Sequence, residues 1–146
     1  ATLRLTHAAL PGMVQRGHGI VVNVSSVAGW MPIGTYSAAK SWVTVFTEGL
    51  GAELSGTGVT ATAVCPGFTR TEFHERAEMD VSVFPDWVWL DSRRVAREGL
   101  RTARAGRSVS VPSKRYSALA LAVQFTPRPL LRRAGTMASR SGLAGK

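Results

Sequence analysis

Two short apolar runs separated by one long amphipathic segment constrain the fold more than any other feature of this sequence. Residues 20–24 (IVVNV) and 59–64 (VTATAV) are rich in β-branched side chains, which favours strands. Between them, apolar side chains, including Ala39, recur at helical spacing over residues 35–54. A strand, a helix and a strand within about 45 residues predict a right-handed βαβ unit with parallel strands. We expect its first strand to be buried on both faces.

Weaker signals on either side add further elements to this unit. Helical spacing or capping predicts helices over residues 2–15 and 93–105, the second begun by Asp91 or Ser92, and a last short strand over residues 108–111. Residues 1–112 are therefore expected to form an α/β fold, a parallel sheet with flanking helices. Residues 113–146 form a basic and apolar extension that we expect to fray from Ala134 on.

The charge of the chain is unevenly distributed. The net charge is +9, yet residues 1–92 hold five basic and eight acidic side chains, whereas residues 93–146 hold thirteen basic and one acidic. This asymmetry indicates a near-neutral domain with a basic end rather than a nucleic-acid-binding domain. The single cysteine excludes an internal disulfide, and without a recognisable signal peptide we expect a cytoplasmic protein. No apolar run is long enough to predict a membrane span.

The extension contains an apolar segment, residues 115–133, between pairs of basic side chains. Such a segment fits an interfacial helix on an anionic membrane, although Pro127 and Pro129 limit its length. A helix packed on the chain's own body, or on a partner subunit, is the preferred alternative.

A tyrosine and a lysine share one face of the central predicted helix. Tyr36 and Lys40 are four residues apart, and Ser25 and Ser26 lie in the loop after the first strand. Ligands bind at this carboxyl edge of open parallel sheets. A free tyrosine has a pKa of about 10, and a nearby ammonium favours its phenolate. Such a pair can transfer a proton to a carbonyl oxygen while hydride reaches the carbon, and a serine hydroxyl can bond the same oxygen.

Three motifs occur in a specific order along the chain: N-V-S-S after a strand, Y-S-A-A-K on a helix, and C-P-G-F-T-R-T after the next strand. Residues 19–29, 35–54 and 58–73, which contain them, strongly resemble the short-chain dehydrogenase/reductase family. Within the family the chain looks most like the branch related to ketoacyl and hydroxysteroid reductases. The resemblance implies a Rossmann-type fold and an NAD(P)-dependent oxidoreductase that interconverts a ketone and a secondary alcohol.

The same resemblance implies a role for each matching residue. Tyr36 would be the catalytic acid/base, Lys40 would hold the nicotinamide ribose and favour the phenolate, and Ser26 would polarise the substrate. Residues implied to contact the cofactor are Tyr36, Lys40, Pro66, Gly67, Thr69 and Thr71.

The spacing of the motifs departs from the family pattern. The family's serine usually lies thirteen residues before the tyrosine, whereas Ser26 lies ten and Ser25 eleven residues before Tyr36. The loop is therefore expected to be shortened between Ala28 and Thr35. Ser26 is preferred because it is the second serine of the N-x-S-S motif, and Ser25 remains the alternative.

The family's glycine-rich T-G-x-x-x-G-x-G turn, its N-N-A-G segment and its relay asparagine do not occur in this sequence. Because these features belong to the first half of the family's fold, we expect the chain to represent the C-terminal half and to be inactive alone. The cofactor is expected to be NADP or NAD, with NADP preferred. The full-length protein is expected to be a homo-oligomer.

Other signals are less specific. Met79, Phe84, Trp87 and Trp89 fall where the family has a substrate lid, which would suit a small apolar ketone or alcohol, but they could equally be packing residues. His7, His18 and His74 lack the spacing of metal ligands, so no metal site is expected. A competing hypothesis is a non-catalytic scaffold that binds an anionic membrane or nucleic acid through residues 93–146.

Overall fold

The computed structural model describes residues 1–72 and 84–140, apart from the side chains of residues 134 and 136–140. The helices are α1 (Thr2–Gln15), α2 (Thr35–Glu53), α3 (Ser92–Arg104), α4 (Lys114–Phe125) and α5 (Arg128–Arg140). The strands are β1 (Gly19–Val24), β2 (Val59–Val64) and β3 (Val109–Ser110), and single 3-10 turns span Val27–Trp30 and Asp86–Val88.

The strands form one parallel sheet in the order β1-β2-β3, which confirms the predicted α/β fold. β1 and β2 pair along their whole lengths, from Gly19 opposite Val59 to Val24 opposite Val64. β3 adds a short pairing to the end of β2. Because both long strands end together, the loops that follow them leave the sheet side by side at its carboxyl edge.

The core lies on the face of the sheet that α1 and α2 cover. Buried side chains of both strands and of α2, with contributions from α1, form this cluster: Val21, Leu50, Leu54, Val59 and Ala61, packed against Leu10, Met13 and Phe46. α3 covers the opposite face, where the hydroxyl of Thr62 donates to the carbonyl of Arg107 at 2.7 Å. The side chain of Asp91 caps α3 by accepting from the amide of Arg94, as predicted.

The expectation that the first strand is buried on both faces is wrong. Val21 is 8% exposed, but Ile20, Val22 and Val24 on the opposite face are 44%, 36% and 63% exposed. In the described part of the chain β1 is an edge strand, and these outer side chains stay exposed although α3 contacts β1. The β-branched residues correctly predicted a strand, but the burial of its side chains depends on which other elements pack against its two faces.

The buried face of α2 is more polar than its apolar spacing predicts. Ala39 is exposed, whereas Thr44 and Thr47 are buried. Thr47 donates to the carbonyl of Val43 at 2.7 Å and accepts from the side-chain amide of Asn23 in β1 at 3.0 Å. Helix and strand are thus joined by hydrogen bonds as well as by apolar packing.

The extension forms two helices, α4 and α5, which are separated at Thr126 and Pro127. α4 packs on the chain's own body through Tyr116, Ala120 and Val123, as in the preferred alternative. The expectation of fraying from Ala134 is wrong for residues 134–140, because α5 continues to Arg140, and residues 141–146 lie outside the described residues. In the residues that the structure describes, no helix combines the length and apolar character needed to cross a bilayer.

The turn before β2 gives a test of the fold. Gly56 and Gly58 both have positive φ angles, of 80° and 77°. A Cβ at Gly56 would meet open space, whereas one at Gly58 would overlap the carbonyl oxygen of Gly17, just before β1. Gly56→Ala should therefore lower the free energy of unfolding by about 1–2 kcal/mol, and Gly58→Ala by at least about 2 kcal/mol more. Urea denaturation of both variants measures the difference, and equal losses would show that the two turns do not approach as described.

Candidate active site

The loops after β1 and β2 are bonded to each other at the carboxyl edge of the sheet. The amide of Ser25 donates to the carbonyl of Val64 at 2.7 Å, and the amide of Val27 donates to the carbonyl of Pro66 at 3.1 Å. The hydroxyl of Ser26 lies 3.5 Å from the same Pro66 oxygen. Two of the predicted site residues, Ser26 and Pro66, are thus brought together.

The two candidate serines have different surroundings. Ser25 is 2% exposed, and its hydroxyl lies 2.7 Å from both the carbonyl oxygen of Lys40 and the hydroxyl of Thr44. Ser26 is only half-buried and begins the 3-10 turn, where its hydroxyl accepts from the amide of Ala28 at 3.2 Å. The Ser25 hydroxyl is therefore engaged inside the protein, whereas Ser26 lies at the accessible edge.

Lys40 joins the first turns of α2 to the end of β1. Its ammonium donates to the carbonyl of Val24 at 3.0 Å and lies 5.6 Å from the centre of the Tyr36 ring. Burial lowers the pKa of Lys40 from its usual value, and interaction with Cys65 raises it by a smaller amount. Tyr36 itself is 45% exposed, so its ring is accessible to a ligand at this edge.

The loop after β1 packs directly on α2. A Cβ at Gly29 would lie 2.9 Å from the amide nitrogen of Ser41, too close for any side chain. Glycine at this position therefore lets the 3-10 turn lie against α2 one residue after Lys40. This close approach gives a physical reason for the S-V-A-G sequence that follows Ser25.

The turn after β2 is covered by a residue that the sequence analysis missed. The ring of Tyr116, in α4, lies over Gly67, where any Cβ would overlap it. The Tyr116 hydroxyl donates to the carbonyl of Val88 at 2.9 Å and accepts from the amide of Phe68 at 3.3 Å. No local sequence pattern predicts a contact between Tyr116 and this distant turn. A tyrosine in a largely apolar helix does indicate that its hydroxyl needs a hydrogen-bond partner.

The remaining predicted cofactor residues follow the same turn. The hydroxyl of Thr69 donates to the carbonyl of Gly67 at 3.0 Å, and Thr69 forms a parallel bridge with Leu90. Thr71 is exposed at the end of this segment. The turn is thus held between α4 on one side and the segment around Leu90 on the other.

The aromatic residues of the proposed lid divide into two groups. Phe84 and Trp89 pack on Phe68, with ring centres 4.4 and 5.6 Å from it, and both are half-buried. Trp87 is 67% exposed, and the Arg115 guanidinium lies 5.9 Å from its ring centre. Met79 and His74 lie outside the described residues. Among residues 1–72 and 84–140, no three histidine, cysteine or acidic side chains are grouped as metal ligands.

Comparison with known proteins gives consistent results. Residues 1–81 match the family model for short chain dehydrogenase. The chain is 46% identical over 63 residues to the very-long-chain 3-oxoacyl-CoA reductase of Laccaria bicolor, covering 41% of this chain and 19% of that protein. It is 41% identical over 71 residues to the ketoacyl reductase HetN of a Nostoc species, covering 47% of this chain and 25% of that protein.

Solved structures share the fold. A short-chain dehydrogenase from Sphingobium yanoikuyae in complex with NADPH superposes with a TM-score of 0.70 at 35% identity, covering 84% of this chain and 50% of that one. The bulky-bulky ketone specific alcohol dehydrogenase from Comamonas testosteroni has a TM-score of 0.63 at 28% identity, covering 84% and 47%. The chain thus spans about half the length of these solved relatives.

The Tyr116 contact predicts a specific pH dependence. Burial raises the pKa of Tyr116, so the folded chain favours the neutral phenol. This preference stabilises the fold at pH values below about 10, and the stabilisation is lost as pH rises through the folded-state pKa. Tyr116→Phe should lower the free energy of unfolding by about 1–2 kcal/mol at pH 8, because two hydrogen bonds are lost. The gap to the wild type should narrow above about pH 10.

Urea denaturation across this pH range measures the effect, with Ser117→Ala, which removes a hydroxyl that does not titrate from the same helix, as the control. The Ser117→Ala variant should keep the wild-type pH dependence, because Tyr116 is untouched. A gap for Tyr116→Phe that stayed constant or widened with pH would contradict the buried, neutral phenol.

Proposed function

The chain belongs to the short-chain dehydrogenase family, and on that premise we propose that it carries the catalytic residues of an NAD(P)-dependent oxidoreductase that interconverts a ketone and a secondary alcohol. One observation supports this most: the Lys40 ammonium lies between the Tyr36 ring, 5.6 Å away, and the end of β1, 3.0 Å away. This is the edge of a parallel sheet at which ligands bind.

The residues present fit a nicotinamide dinucleotide. A lysine ammonium has three donors, and the carbonyl of Val24 accepts one, so Lys40 retains donors that can meet ribose hydroxyls. Gly67 would meet the cofactor through its backbone, because the ring of Tyr116 fills the space where a Cβ would lie, and Thr71 is exposed at the end of the same segment. The bound nicotinamide would supply or accept the hydride. NADP is our preference over NAD.

In the proposed reduction, Tyr36 gives its phenolic proton to the carbonyl oxygen of the substrate. The positive charge of Lys40 stabilises the phenolate that remains, and in the reverse direction the same phenolate accepts the proton. Ser26 donates a hydrogen bond to the substrate oxygen and stabilises the charge that develops there. Ser25 is not assigned this role, because its hydroxyl is engaged with Lys40 and Thr44 in the interior.

We propose that the working enzyme pairs a further parallel strand with β1. The outer side chains Ile20, Val22 and Val24 are exposed, and β1 is an edge strand in the described residues. The glycine-rich turn that normally holds a dinucleotide pyrophosphate does not occur in this sequence. Residues 1–146 alone should therefore give no saturable NADPH binding.

An apolar substrate suits this site. Phe68, Phe84 and Trp89 place aromatic rings directly after the turn that contains Gly67. The names of the relatives refer to very-long-chain 3-oxoacyl-CoA and to bulky-bulky ketones, which supports a ketone with a large apolar group.

The role of Tyr36 is testable by a conservative substitution. In a protein with a complete dinucleotide-binding half, Tyr36→Phe should lower kcat for ketone reduction at least about a hundredfold, the scale of general acid catalysis. NADPH oxidation followed by absorbance measures the rate. A variant that kept more than about a tenth of the wild-type kcat would assign under roughly 1.4 kcal/mol to the phenol and would overturn the mechanism.

The two adjacent serines form a matched pair of variants. Ser26→Ala should lower kcat by about a hundredfold, because a donor to the substrate oxygen is lost, and should lower the free energy of unfolding by only about 0.5 kcal/mol, through the lost contact with the Ala28 amide. Ser25→Ala should instead lower the free energy of unfolding by about 1–2 kcal/mol, since buried partners lose a hydrogen bond. Rates and urea denaturation of both variants separate the roles, and the reverse pattern would assign the substrate contact to Ser25.

A further inference from the structure

We propose that α4 and α5 bind the surface of an anionic lipid bilayer and hold the candidate active-site edge against it. α4 is apolar on two sides, and only one is covered. Tyr116, Ala120 and Val123 are buried against the body of the chain. The opposite side is exposed, and Leu121 and Phe125 on it are 57% and 81% exposed. Large apolar side chains exposed together on one side of a helix mark a surface that binds a partner.

The residues of this uncovered side follow helical spacing. Exposed residues that recur every three or four positions form one side of the helix. They are Lys114, Ala118, Leu121, Ala122 and Phe125. We call these five residues the outer face of α4. α4 rises about 1.5 Å per residue, so the outer face is roughly 16 Å long and has a lysine at its amino end.

α5 adds exposed cations next to α4 in the chain. Arg128, Arg132 and Arg133 are exposed, and Leu130, one turn before Arg133, is 54% exposed. The sequence contains no acidic residue after Glu98. The partner that fits this surface is therefore both anionic and able to accept apolar side chains.

An anionic bilayer meets both requirements. Apolar side chains of an interfacial helix enter the boundary between headgroups and acyl chains, while lysine and arginine side chains meet the anionic headgroups. A second copy of the chain fits less well, because it would bring two strongly basic ends together. Nucleic acid fits less well too, because Leu121 and Phe125 would face phosphates without a hydrogen-bonding group.

The position of the helices connects this surface to the site. Tyr116 of α4 lies over Gly67, and Gly135 of α5 lies against the backbone of Pro32 in the loop after β1. Both helices thus pack on the loops of the carboxyl edge. If the proposed ketone reduction holds, an apolar substrate dissolved in the bilayer would reach the site directly, but the binding surface itself does not depend on that reaction.

Flotation of the intact protein with vesicles tests the proposal, because aggregates sink while vesicle-bound protein rises. The protein should float with phosphatidylcholine vesicles that contain about one quarter phosphatidylglycerol, and far less with phosphatidylcholine alone. Raising the salt concentration should release part of it. Equal flotation with both kinds of vesicle, or flotation with neither, would overturn the proposal.

Variants then locate the surface. Leu121→Ser with Phe125→Ser should reduce flotation at least about tenfold, whereas Leu100→Ser, at a 48% exposed leucine of α3, should leave it unchanged. Lys114→Gln with Arg128→Gln should weaken binding, and Arg93→Gln with Arg104→Gln, which removes equal charge from α3, should not. Unchanged flotation of the α4 variants would overturn the proposal. Self-association in the absence of vesicles, measured by sedimentation velocity, would also overturn the proposal if the Leu121→Ser and Phe125→Ser changes abolished it.

Activity distinguishes this proposal from the proposed function. Loss of flotation in the α4 variants with unchanged reduction of a water-soluble ketone supports the membrane surface separately. Flotation that persists in the inactive Tyr36→Phe variant supports it equally, because that variant leaves α4 untouched.

Discussion

A group of buried hydroxyls between the end of β1 and the start of α2 is the constraint on which the candidate site depends. The Ser25 hydroxyl lies 2.7 Å from the Lys40 carbonyl and from the Thr44 hydroxyl, which in turn lies 3.7 Å from the sulfur of the fully buried Cys65. The Lys40 side chain is bonded to the Val24 carbonyl. Both the backbone and the side chain of Lys40 are therefore fixed to the strand end, and the buried hydrogen bond between Ser25 and Thr44 is expensive to break.

Two close approaches extend this constraint along the carboxyl edge. Gly29 lets the loop after β1 lie on α2, and Gly67 lets the ring of Tyr116 lie on the turn after β2. The loops that carry Ser26 and Pro66 are thus held from both sides, although neither is part of a helix or strand. Catalysis at a carbonyl group requires this kind of preorganised edge, because misplaced donors stabilise the developing charge poorly.

Much of this arrangement could be predicted from the sequence, because it follows from local patterns. The β-branched runs and the helix between them indicated the parallel sheet, and the order of the motifs indicated which loops meet. The Tyr116 contact could not be predicted, since Tyr116 and Gly67 are distant in sequence. Thr44 and Thr47 were missed for a different reason: apolar spacing does not register a buried threonine whose hydroxyl is satisfied within the helix and across it.

The most direct test of the central claim is the affinity of the protein for NADPH, which does not require the substrate to be known. With a complete dinucleotide-binding half present, fluorescence titration should show saturable binding. Lys40→Met should raise the Kd at least about tenfold, or roughly 1.4 kcal/mol, because the ribose loses its donor. Lys114→Met, which removes an exposed lysine of α4, should leave the Kd unchanged. An unchanged Kd for Lys40→Met would contradict the assignment of Lys40 to the cofactor and, with it, the account of the site.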